Sequence, residues 1–218
     1  MGDFMMKRDD TVRVGMSNEN VINASATAER LMRAYHIHCV APDPDTLFRF
    51  LEAAHSANDR LKKSAGVEFI DIPEFIALKC LRNFFHHHDE LRHVVRVVPT
   101  AGLPILTDLL FMCLAPRDLI NEAIVQAPDR FRAQTQAACD FAFHWYGTTV
   151  NINPCLFNFV VHAYERLVEA SIPISGDEAD EYRRSYDFEA QAGQSHFVDG
   201  RISTTAGSLD DLLSEIMS

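Results

Sequence analysis

The sequence predicts an all-α fold, a multi-helix bundle of about seven helices, on three observations. Proline stands repeatedly where an apolar-periodic stretch begins, at Pro73, Pro104, Pro116, Pro128 and Pro154. Glycine falls just beyond two such stretches, at Gly66 and Gly147. Apolar residues recur at three- and four-residue spacing, with little of the alternation that marks a half-buried strand.

The elements follow in order. Residues 1–26 mix charges with Asn, Ser and Gly15 and read as a flexible N-terminal arm, or a short strand around Val12 to Val14. The helical domain is expected over 27–175. Ser25 or Thr27 can cap a first helix carrying Leu31, Ala34, Tyr35 and His38 on one face, halted by Pro42 and Pro44. Asp45 caps a second, with Leu47, Phe48, Leu51, Ala54, Asn58 and Leu61; Lys62 and Lys63 suit its carboxyl end and Gly66 terminates it. Pro73 opens a long helix to about Val98, where Pro99 stops it. Further helices are expected from Pro104 to Leu114, from Pro116 to Gln126, from Pro128 to Tyr146, and from Asn153-Pro154 onward. After Ser175 the chain turns polar and acidic, a tail over 176–218. Ser208 and Asp211 form a capping box there before a short amphipathic terminal helix with Leu209, Leu212, Leu213 and Ile216.

With 218 residues the chain buries enough surface to fold without disulfides or a structural metal. Its net charge of −11 excludes a globally basic nucleic-acid binder. The charge is uneven, however: Gly176 to Ser218 holds ten acids against three bases, so the body retains room for a local basic groove. Five widely spaced cysteines, odd in number and without a CxxC pair, read as buried free thiols in a reducing compartment. The amino terminus has no apolar core of signal-peptide length, and the longest apolar stretch, Leu109 to Ala115, is too short to span a bilayer. A cytoplasmic protein that does not engage membranes is expected.

The densest chemical signal is Leu81-Arg82-Asn83-Phe84-Phe85-His86-His87-His88, in the helix after Pro73. At about 100° per residue, Arg82, His86, Asn83 and His87 spread over roughly 140° of one side, while Ala77, Leu78, Leu81, Phe84 and Phe85 fill the opposite side. His88 falls among the apolar residues and reads as a hydrogen-bonded packing residue. The polar side suits phosphate-ester chemistry. Arginine offers a permanent fork of donors to a phosphate, histidine moves a proton near neutral pH, and asparagine orients either. Attack of a ribose 2′-hydroxyl on the adjacent phosphate needs a base, an acid and a clamp, but no metal and no cofactor. One helix supplies too few groups for both proton transfers; two copies meeting across a twofold axis supply them.

Arg82-Asn83-x-x-x-His87 resembles the R-x(4–6)-H signature of the HEPN superfamily, with the polar residue that follows its arginine. That resemblance implies an all-α homodimer with motif helices face to face, cleaving RNA without metal. Arg82, Asn83 and His87 would be its catalytic residues, with His86 as an auxiliary. Toxins and antiviral-defence effectors share this pattern, which implies an antitoxin or regulatory protein as a further partner. Where one toxin subgroup carries a tyrosine, two positions after the histidine, this chain has Asp89. Other members that resemble it are non-catalytic interaction modules, the alternative function here.

A metal site is the competing chemistry, from His86, His87, His88, His93 and the His36-x-His38-Cys39 run. Adjacent histidines on a helix diverge too far to chelate one ion together; His86 with Glu90, four residues apart, is the usable pair. His144-Trp145-Tyr146 reads as a core anchor at a helix end, and His162 as a satisfied core histidine. No phosphate-binding glycine loop or GxSxG elbow is present.

Overall fold

The computed structural model describes residues 16–205 and 207–218, the side chains of 89–91 excepted. Ser17 opens α1 (Asn18–Val40), its hydroxyl accepting from Asn20 N. The expected caps Ser25 and Thr27 lie inside this helix, where Thr27 donates back to Asn23 O. Residues 18–26 are thus helical rather than part of an arm, and the strand considered at Val12 to Val14 lies outside the described residues. Asp43, not Asp45, caps α2 (Pro44–Ala65) in a reciprocal box with Thr46. Gly66, at φ +68°, closes α2 in the left-handed conformation that only glycine adopts freely.

Pro73 opens α3 (Pro73–His87) as expected, but the helix ends well short of Val98. A 3₁₀ turn (Asp89–Val94) follows, then β1 (Arg96–Pro99), β2 (Ile105–Leu106) and β3 (Phe111–Pro116). The helix expected over Pro104 to Leu114 is therefore strand. Helices α4 (Arg117–Val125) and α5 (Asp129–Ala142) begin where their prolines placed them. The expected last turn of α5 is instead β4 (His144–Tyr146), paired through the Gly147-Thr148 turn with β5 (Thr149–Asn151). Next come α6 (Asn153–Glu169), α7 (Asp177–Ala192), β6 (Ser203–Thr204) and α8 (Leu209–Met217).

The fold is mostly helical rather than all-α: among the described residues, eight α-helices surround small antiparallel sheets. One sheet runs β1-β3-β5-β4 and the other pairs β2 with β6. The correction has a physical origin in β3. Phe111 to Ala115 is buried on both faces, one against the helical core and the other against α8, so it shows no alternation. A short continuous apolar run of this kind has no periodicity that separates strand from helix.

The main core joins α1, α2, α3 and α6, with Phe50, Phe69, Phe75 and Phe159 fully buried in mutual contact. The segment after Ser175 is folded onto this body. On α7, Tyr182 packs edge-on against Tyr35 of α1 and against Tyr164 of α6, and Glu178 pairs with Arg33. On α8, Leu213 is buried with Met112, Leu114 and Ile202 over the outer face of the sheet, so the terminal helix docks on its own domain. Ser208 caps it as expected, accepting from Asp211 N.

Candidate functional site

The polar side of α3 meets two different neighbours, which divides the residues grouped by sequence. Asn83 and His87, with Lys79, stand four residues apart in one row, and all three line a cavity of about 590 Å³ between α3, the α4–α5 connection and α5. Ile70, Phe75, Ile76, Phe84 and Phe131 supply its apolar walls; Gln126, Gln134 and Thr135 add polar groups. Arg82 turns the other way. Its Nη2 lies 3.0 Å from Glu52 Oε2 on α2, and its Nη1 donates to Asn83 Oδ1 at 3.4 Å. Its Nε is buried without a hydrogen-bond partner. His86 is exposed, its ring edge-on to that of His87 at 5.4 Å between centroids.

The four sequence candidates therefore form a contiguous strip, but Arg82 is a link between Glu52 and Asn83 rather than a free clamp on the cavity. Lys79 is the functional candidate that the sequence reading passed over. Its signal was present: it precedes Asn83 by four residues and His87 by eight, on the same stripe. Glu52 had no signal, because it comes from a different helix. Beside it on α2, burial and then the Arg82 charge hold the His55 imidazole below its ordinary value. His88 Nε2 donates to Gln126 Oε1 at 3.1 Å and its ring lies against that of Phe84, the packing role expected for it.

The proposed metal ligands do not converge. His36 faces Glu181 on α7, His38 is fully buried beneath α2, and the Cys39 thiol, pushed up to about 11 by burial, sits beside Tyr35. Among the described residues no group of three or more His, Cys, Asp or Glu side chains could hold a metal ion. The side chain of Glu90, the partner considered for His86, lies outside the described residues. All five cysteines are free thiols, four of them buried. No helix among the described residues is long and apolar enough to cross a membrane.

A second constellation lies inside the core. His38 Nδ1 is 2.8 Å from Thr46 Oγ1, and its Nε2 is 3.6 Å from Cys113 Sγ, which is also 3.7 Å from Asn153 Oδ1. Asn153 Nδ2 donates to Phe111 O, and Asn151 Oδ1 accepts from the Cys113 and Asn153 amides. Cysteine, histidine and asparagine in contact would suit nucleophilic catalysis at a surface. Here burial raises the thiol strongly and lowers the imidazole to about 4, so neither reaches its reactive charge state and no substrate can enter. The network ties α1, α2, β3 and α6 together instead. Because the folded value lies below the ordinary 6.5, the unfolded chain takes up this proton first on acidification. Stability is therefore undiminished above pH 6.5 and falls as pH drops towards 4, by about 3 kcal/mol in all, the cost of protonating a desolvated imidazole. Urea unfolding at pH 7 and pH 4.5 should show a loss in wild type that His38→Gln reduces by about that amount; equal losses in both would remove His38 as the cause.

Compared with known protein families, curated proteins and solved structures, the chain matches none of them.

Proposed function

We propose that the α3 row is the site of a metal-independent endoribonuclease. The observation that carries this reading is the placement of Lys79, Asn83 and His87 side by side on the wall of one cavity. In the reaction the ribose 2′-oxygen bonds to the adjacent phosphorus and the bond from phosphorus to the 5′-oxygen breaks. A base removes the 2′-hydroxyl proton and an acid protonates the departing 5′-oxygen, leaving a cyclic phosphate and a 5′-hydroxyl. His87 is the proton-transfer group and His86 its neighbour. Lys79 supplies the cation at the phosphate, and Asn83 the hydrogen bond, oriented by Arg82. A homodimer with two such rows facing one another would provide base and acid from separate copies. A cytoplasmic toxin or defence effector, restrained by an antitoxin or regulatory protein, is the role consistent with such chemistry.

The decisive assay is incubation of the purified chain with total RNA in excess chelator. Fragments ending in cyclic phosphate are expected; intact RNA, or cleavage that returns only with added metal, would overturn the assignment. One observation favours a second reading, a non-catalytic interaction module: Glu52 already occupies the Arg82 guanidinium. Under that reading RNA stays intact in both conditions.

A further inference from the structure

The cavity has a composition that phosphate chemistry alone does not require. Most of its walls are apolar, and two of its apolar rim residues, Ile70 and Phe131, remain about half exposed at 48% and 45%. Its volume, about 590 Å³, falls within the range of sites that enclose small organic molecules. Polar groups are confined to the α3 wall and to a few residues of α4 and α5. On the α3 wall Lys79 makes no ion pair among the described residues. An uncompensated cation beside an apolar chamber calls for an anion attached to an apolar body, since such a molecule meets both surfaces at once.

We propose that this cavity binds a small amphipathic organic anion, its apolar body against Phe75, Phe84 and Phe131 and its single anionic head on Lys79. The ligand reaches Asn83 and His87 along the same row, so an occupied cavity closes that row to RNA. The binding site stands on the cavity itself; only its effect on cleavage rests on the nuclease reading.

Two fluorescent probes test it: anilinonaphthalene sulfonate, which carries the anionic head, and neutral N-phenylnaphthylamine, which lacks it. The folded wild-type chain should bind the sulfonate saturably at one site. Lys79→Met should weaken the sulfonate about tenfold and leave the neutral probe within about twofold. Equal effects on both probes, or none on either, would overturn the head-group assignment. Cys80 gives a second check, read by peptide mapping so that the more exposed Cys39 is scored separately, because Cys80 lines the cavity while Cys113, Cys139 and Cys155 are sealed in the core. Bound sulfonate should slow alkylation of Cys80 by a maleimide at least fivefold; an unchanged rate would place the probe elsewhere and remove the proposal. If the wild-type chain cleaves RNA, saturating sulfonate should suppress cleavage. A chain that binds the probe as described yet cleaves no RNA keeps this site and loses the nuclease.

Discussion

Alanine in place of His87 should lower RNA cleavage by about 100-fold or more, the usual scale for removing a general acid–base group, and leave the fold intact. His87 is exposed at the carboxyl end of α3, and its ring meets the equally exposed His86. Its removal opens no core cavity and strands no buried partner, so the expected stability change is within about 0.5 kcal/mol. Cleavage rates and thermal melts on the same preparation separate the two effects. Undiminished cleavage by His87→Ala would end its catalytic assignment, and early melting would make it a structural residue. A fully retained binding of N-phenylnaphthylamine would show in addition that the cavity keeps its shape without the imidazole.

Several helix ends were legible because the chain itself carries the terminating chemistry there. Pro73, Asn153-Pro154, Ser208 and Gly66 mark ends because a missing N–H, a capping hydroxyl or a left-handed backbone acts within one turn. The sheet was not legible, because its burial comes from distant elements. Phe111 to Ala115 is apolar throughout since α8, almost a hundred residues later, covers the face that would otherwise meet water. His144-Trp145-Tyr146 follows a helix and precedes a glycine, which mimics a helix end; pairing with Thr149 to Asn151 decides otherwise. Composition alone hid the role of the acidic segment. Ala179, Tyr182 and Tyr186 form a stripe on α7 that packs on the body, Glu178 reaches Arg33 of α1, and Asp177, Asp180 and Asp187 stay exposed.

The site was legible to the same degree and for the same reason. Spacing along α3 put Asn83 and His87 on one side, which geometry along a single helix suffices to do. It also put Arg82 there, but a side spanning roughly 140° reaches two neighbours, and Glu52 on α2 captures its near edge. The cavity needs α5 and the turn before it, so neither its existence nor the part played by Lys79 followed from the motif.

Two positions before His87, the opposite consequence is expected. Phe85 is 1% exposed, on the apolar side of α3, with its ring edge-on to Phe48 of α2 at 4.8 Å and to Phe84 at 5.6 Å. The Arg92 guanidinium lies over the Phe48 ring, 4.6 Å from its centroid, a contact that a shift of that ring into the gap would disturb. Phe85→Ala removes the transfer free energy of the ring and leaves a cavity at the α2–α3 contact, a cost of about 3–5 kcal/mol. For a chain of this length that corresponds to a melting temperature lower by about 10 °C. Circular-dichroism melts check it, and a melt within about 2 °C of wild type would mean that the α2–α3 contact is not part of the core. Well below the new midpoint the row Lys79, Asn83 and His87 still stands on a formed helix, so cleavage should persist there. Loss of cleavage in a folded Phe85→Ala chain would show instead that the α2–α3 packing, through Glu52 and Arg82, sets the position of Asn83.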